Sequence, residues 1–226
     1  MLFRSADGYH LIDALMTTLE LHDTLTIVDD PDGRVEYTGR WAAGLDGDGD
    51  DLVSRALRAG GRRAAVRVDK AIPHGGGLGG GSADAAAVLR WCGCHDLDVA
   101  ARIGADVPFC LVGGRARVRG IGEIVEPIDR DPGLVTLVVP PFSVGTPNVY
   151  RAWDALGGPT DVGDNDLEPA AIAVEPRLAE WKRRIEAASG VRPVLAGSGS
   201  TWFLPGDHGD IATELPDATV IVTGHA

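Results

Sequence analysis

Residues 73–87 read Pro73-His74-Gly75-Gly76-Gly77-Leu78-Gly79-Gly80-Gly81-Ser82-Ala83-Asp84-Ala85-Ala86-Ala87. Six glycines in seven positions precede an alanine-rich, helix-prone run. Glycine lets a backbone approach a ligand closely and tolerates positive φ. A helix that begins straight after such a turn offers unpaired N–H groups and the positive end of its dipole to an anion. Residues 73–83 therefore predict a phosphate-binding turn, with Ser82 as the N-cap of a helix over 83–91. So much glycine costs conformational entropy, which a flexible turn without a ligand would not recover.

Two better-known phosphate loops do not fit. Gly75-x-Gly77-x-x-Gly80 matches a dinucleotide fingerprint in letters, but Pro73 separates it from the preceding strand. A Walker A loop ends in Gly-Lys-Ser/Thr, whereas this one ends Gly81-Ser82.

Outward from the turn, residues 64–69 alternate as a strand that Pro73 stops. Residues 21–28 predict another strand, 29–33 a turn and 34–38 its hairpin partner. The acidic loop 46–51 lacks the later Glu of a calcium loop and suits capping of a helix starting near Leu52. Downstream, a short helix is expected over 97–103 and a hairpin over 115–128. Residues 129–133, Asp-Arg-Asp-Pro-Gly, mark the expected boundary between domains 1–130 and 131–226. Beyond it we expect strands at 134–139, 201–204 and 219–223, and helices at 149–156, 177–189 and 211–214. This interleaving predicts an α+β class.

The chain has 226 residues and a formal charge of −12. A net negative field argues against a nucleic-acid or anionic-membrane partner, but not against an anion held locally by backbone amides. No apolar run reaches bilayer length, and residues 1–7 lack a signal-peptide core, so a cytoplasmic protein is expected. The three cysteines, Cys92, Cys94 and Cys110, read as reduced thiols; Cys92-Gly93-Cys94-His95 lacks the paired spacing and four ligands of a structural zinc site.

With these residues in hand, Pro73-x-x-x-Gly77-Leu78-Gly79-Gly80-Gly81-Ser82-Ala83-Asp84-Ala85-Ala86 resembles the ATP loop of GHMP kinases. Within that class it is most similar to the members acting on cytidine-diphosphate-linked methylerythritol. Asp7-Gly8-Tyr9-His10, Gly104-Ala105-Asp106-Val107-Pro108-Phe109, Asn165-Asp166-Leu167-Glu168 and Leu195-Ala196-Gly197-Ser198-Gly199 match further segments in the right order. The resemblance implies a two-domain α+β fold, like ribosomal-protein S5 domain 2 in the N-terminal half and ferredoxin-like in the C-terminal half. It implies ATP and Mg²⁺ as cofactors and a small cytidine-diphosphate-linked polyol as substrate, phosphorylated on its 2-hydroxyl.

By the same resemblance, Pro73, His74, Gly75, Gly76, Gly77, Leu78, Gly79, Gly80, Gly81, Ser82 and Ala83 hold ATP. Asp106 is the general base or hydroxyl-orienting group. Tyr9 and His10 bind the cytosine, for which stacking and hydrogen bonding to a base edge suit them. Tyr150 is either near the base or a helix-core tyrosine, and Ser82 either contacts phosphate or Mg²⁺ or only caps its helix. No lysine precedes Lys70, so the family's catalytic lysine, carried on a first strand, has no counterpart in residues 1–69. An upstream start, a divergent nucleotide-binding relative that turns over poorly, and a GHMP kinase for another small alcohol all remain open at this point.

Overall fold

The structure is a computed structural model that describes residues 2–4, 10–47, 49–158, 160–161 and 163–226. Tyr9, Asp7 and Gly8, to which the sequence reading gives part of the base site, lie outside the described residues. The chain divides into two compact units. One comprises Met1–His10, Gly75–Leu78 and Asp131–Ala226, the other Leu11–His74 and Gly79–Arg130. The start of residues 1–130 and the middle of the glycine turn thus group with the C-terminal half, which a single cut at residue 130 does not express.

In the Leu11–His74/Gly79–Arg130 unit, strands β3 (Thr24–Asp29), β4 (Val35–Thr38) and β5 (Ala64–Asp69) form one sheet in the order β3-β5-β4. The expected hairpin of β3 with β4 does not form. β5 lies between them, antiparallel to β3 and parallel to β4. Its alternate residues Ala64, Val66 and Val68 are fully buried, and the most apolar strand takes the centre, where both edges are paired. Helices α1 (Leu52–Ala59), α2 (Gly80–Trp91), α3 (Leu97–Ile103) and α4 (Val107–Val112) pack on this sheet around Val53, Ala56, Val88, Leu89, Ile103 and Val107. Asp51 caps α1 as expected, accepting from Ser54 N at 3.0 Å and from Ser54 Oγ at 2.6 Å.

In the same unit β6 (Arg115–Gly120) pairs with β7 (Ile124–Pro127) in the expected hairpin and, on its other side, with residues Ile12–Thr17 of β2 (His10–Thr17). β2 is a strand that the mixed polarity of residues 11–20 conceals.

In the other unit, which also carries the short strand β1 (Leu2–Arg4), β8 (Leu134–Val139) is a buried inner strand of an antiparallel sheet ordered β11-β8-β10-β9, with β9 (Val194–Leu195), β10 (Trp202–Pro205) and β11 (Thr219–Gly224). Helices α5 (Thr146–Ala155), α6 (Glu168–Val174) and α7 (Arg177–Ser189) accompany it, and a 3₁₀ turn (Gly209–Thr213) replaces the expected helix at 211–214. Leu178, Ile185, Leu195 and Trp202 are among the fully buried side chains there. Among the described residues no helix is long and apolar enough to cross a membrane.

Candidate active site

The glycine turn starts α2 earlier than the sequence suggests. Gly79, left-handed at φ 68°, is the N-cap, and the first helical bond runs from Ala83 N to Gly79 O at 2.9 Å. Ser82 is therefore not the cap but the third helical residue, and its side chain is buried. The serine yields the position because only glycine enters the left-handed region without steric cost. No side chain caps this end. The N–H groups of Gly80, Gly81 and Ser82 have no intrahelical partner, and none makes another hydrogen bond among the described residues. Gly80 is glycine for lack of room: a Cβ there would lie 2.9 Å from Ile72 Cγ2 and 3.3 Å from Lys70 Nζ.

Asp106 sits at the N-cap of α4 but makes no capping bond. Its carboxylate has no hydrogen-bond or ion-pair partner among the described residues, and burial alone raises its pKa above the ordinary carboxylate value. Two observations link this segment to α2, the first at the helix's last turn and the second at its glycine start. Arg90 of α2 donates to the carbonyl of Cys110 on α4 at 2.8 Å. Leu52 borders both, since a Cβ on Gly81 would meet its Cδ1 at 3.6 Å and one on Gly104 its Cδ2 at 3.7 Å. An anion-ready helix start and a desolvated, unpaired carboxylate thus belong to two helices packed together. Cys110 stays a thiol, its pKa pushed up to about 12 by burial and then by the negative charge of Asp106.

The Lys70 ammonium is 3% exposed and lies 2.5 Å from Asp23 Oδ2 and 2.8 Å from Asp84 Oδ2. Burial raises the Asp84 pKa to about 6 despite the attraction of Lys70. Asp23 also accepts from Ala71 N at 2.6 Å and Ile72 N at 2.8 Å. Sequence reasoning missed this cluster. Its members are 14 and 47 residues from Lys70, and no local periodicity joins them. The second lysine, Lys182, pairs with Glu168. Both lysines of the chain are therefore engaged by carboxylates.

In the other unit, the remainder of the turn meets the third glycine motif. Gly76 O accepts from Thr201 N at 3.2 Å, and a Cβ on Gly77 would fall 2.2 Å from Ala196 O. Asn165 Nδ2 donates to Leu195 O at 2.8 Å and Gly197 O at 2.7 Å, tying the 165–168 run to the same motif. Pro73 is buried and His74 exposed before this stretch.

The same unit brings His10 and Tyr150 together across 140 positions, with ring centroids 4.8 Å apart. His10 Nε2 lies 3.0 Å from Asp154 Oδ1, and the Trp153 ring packs edge-on to the imidazole. Asp154 was not singled out from sequence. Its spacing of four from Tyr150 puts both on one face of α5, which helical periodicity could have flagged.

Comparison with known proteins bears on this geometry. Residues 51–114 match the GHMP kinases N terminal domain. The 4-diphosphocytidyl-2-C-methyl-D-erythritol kinase of Paracoccus denitrificans is 39% identical over 223 residues, 88% of this chain and 80% of that one. The chain belongs to this kinase family. Its namesake from Pelotomaculum thermopropionicum is 37% identical over 90% of this chain and 83% of its own length. A solved 4-(cytidine 5'-diphospho)-2C-methyl-D-erythritol kinase superposes with a TM-score of 0.75 at 29% identity, covering 99% of this chain and 94% of that one. Homoserine kinase from Cytophaga hutchinsonii (TM-score 0.63, 19% identity, 94% and 88% coverage) shares the fold. As in the rest of the GHMP kinases, the architecture is a two-domain α+β fold and the class chemistry is phosphoryl transfer from ATP to a small molecule.

Proposed function

We propose that this chain transfers the γ-phosphoryl group of ATP to the 2-hydroxyl of 4-diphosphocytidyl-2-C-methyl-D-erythritol, a step of non-mevalonate isoprenoid synthesis. Similarity to the kinases of that name over most of the chain supports the reaction. The observation that carries the site is that one unit holds, on the packed helices α2 and α4, an uncapped helix start and the unpaired, buried carboxylate of Asp106. The amides of Gly80, Gly81 and Ser82 hold phosphate oxygens, with residues 73–79 and 83 forming the rest of the turn. Asp106 accepts or orients the proton of the acceptor hydroxyl as its oxygen bonds to the γ-phosphorus and the bond from that phosphorus to the ADP oxygen breaks. Phosphoryl transfer is mostly positioning and electrostatics, so one placed base suffices in outline. His10 and Tyr150 bind the cytosine, with Asp154 orienting the imidazole. The two units act as the ATP-binding and C-terminal kinase domains.

The described residues offer no group of three or more acidic, His or Cys side chains for a metal, and Ser82, which is buried, brings the one side-chain hydroxyl among residues 73–83. That set fits Mg²⁺ arriving on the nucleotide, since Mg²⁺ commonly keeps phosphates and waters as its other ligands. When bound, the ion neutralises phosphate charge.

A second reading rests on the engagement of both lysines. With no ammonium left to meet the transferring phosphate, these residues bind the nucleotide but transfer slowly. Calorimetry with Mg²⁺-ATP tests what the two readings share, and no heat at millimolar ATP would refute both. Turnover then separates them. In the first, kcat falls as pH drops through the raised pKa of Asp106, and Asp106→Asn lowers kcat by about 10²–10⁴-fold and removes that acidic limb.

A further inference from the structure

Three ionisable side chains buried together need a reason. A buried ion pair seldom stabilises a fold more than apolar residues of the same volume would. Here burial outweighs the attraction of Lys70 on Asp84, so an ionised Asp84 works against folding at neutral pH. What the cluster does offer is a fixed geometry.

Its three members sit at three ends. Asp23 immediately precedes β3, Lys70 immediately follows β5, and Asp84 lies in the second turn of α2. Asp23 clamps the backbone that leads into the glycine turn through Ala71 N and Ile72 N. Lys70 then reaches across to Asp84 at 2.8 Å. Gly80 is wedged between them, with no space for a Cβ beside Ile72 and Lys70 Nζ. The covalent path from residue 70 to residue 84 is thus closed into a loop by one buried ammonium, and the unpartnered amides of Gly80, Gly81 and Ser82 lie inside that loop.

We infer that Lys70, with Asp23 and Asp84, is a positioning device that fixes the aim of the α2 amides at the nucleotide phosphates, rather than a catalytic lysine. This rests on the ATP reading above. The ammonium is enclosed by two carboxylates and sealed from solvent, so it sets phosphate affinity through Asp84 without touching phosphate. A small displacement of oriented groups is enough to matter, since a misplacement near 1 Å can cost about 10²-fold in rate at a positioned site.

The test uses Asp84→Leu in the full chain. This variant cuts the link to α2 yet leaves Lys70 paired with Asp23, so no buried charge is stranded. We expect it to keep its fold, to weaken ATP binding about 10-fold or more by calorimetry, and to leave KM for the cytidine-diphosphate substrate within two-fold. Hydrogen exchange of the ligand-free protein should quicken at residues 71–84 and not in β8 or α7. Asp84→Asn, the same shape without the charge, should fall between the two and serves if the leucine variant does not fold. Unchanged ATP affinity together with unchanged exchange at 71–84 would overturn the inference. Loss of affinity for both substrates in equal measure would also overturn it, by showing a purely structural role. If the parent chain bound no ATP, the kinase reading would fall, while the exchange data would still decide whether the cluster orders the turn.

Discussion

Replacing Lys70 by methionine should be the most damaging single change near the turn, and its pH dependence identifies the cause. The side chain is 3% exposed and contacts two carboxylates that are themselves buried. Removing one partner from a buried pair typically costs about 3–5 kcal/mol, because the remaining charge is left without compensation. At about 2–4 °C per kcal/mol for a protein of this size, Tm should fall by roughly 6–20 °C. The sign with pH follows from Asp84. Its folded pKa is already raised to about 6, above the ordinary 3.8, so the stability tied to this group is present below about 4 and lost as pH rises through 6. Without Lys70 the two carboxylates repel and the folded pKa climbs further. The other ionisable group whose pKa Asp84 influences is Cys110 on α4, held protonated with a pKa of about 12, so it does not titrate in this window. Scanning calorimetry of the parent and Lys70→Met at pH 5.0 and pH 7.5 should show a larger deficit at pH 7.5. A Tm loss below 2 °C, or the same loss at both pH values, would refute the placement of a buried charge cluster here.

Further outcomes follow from the same geometry. Gly80→Ala gains helix propensity but pushes a methyl to 2.9 Å from Ile72 Cγ2; overpacking of this kind costs about 1–3 kcal/mol, and ATP titration should show weaker binding even where Tm is little changed. His10→Ala removes the ring beside Tyr150 and Asp154 and should raise KM for the cytidine-diphosphate substrate about ten-fold with KM for ATP unaffected; an unchanged value would remove His10 from the proposed base site. Asp154→Asn keeps the shape but not the charge, and should reproduce part of that effect in the same assay.

Much of the site was legible because glycine and proline carry local meaning. Residues 73–83 predict a phosphate turn from composition, and Asp106 joins the candidate site only through the resemblance of the ordered motifs. What the sequence concealed was set by tertiary choices. Ser82 looked like a cap, but Gly79 could enter the left-handed region and so began the helix three residues earlier. β3 and β4 looked like a hairpin, but the more apolar β5 took the place between them. Lys70 was visible only as one of two lysines; that two aspartates enclose it depends on strand and helix ends meeting, which no residue spacing encodes. The pairing of His10 with Asp154 is likewise a contact made across 144 positions.

The most direct measurement is phosphoryl transfer itself. The purified chain, incubated with Mg²⁺-ATP and 4-diphosphocytidyl-2-C-methyl-D-erythritol, should yield ADP and one new phosphomonoester resonance in the ³¹P spectrum, unsplit by any carbinol proton because C2 carries a methyl group and no hydrogen. Asp106→Asn, folded to the same Tm, should yield none on the same timescale. A parent chain that binds both substrates yet forms no phosphomonoester, or an Asp106→Asn variant that forms it at the parent rate, would contradict the proposed reaction or the role of its base.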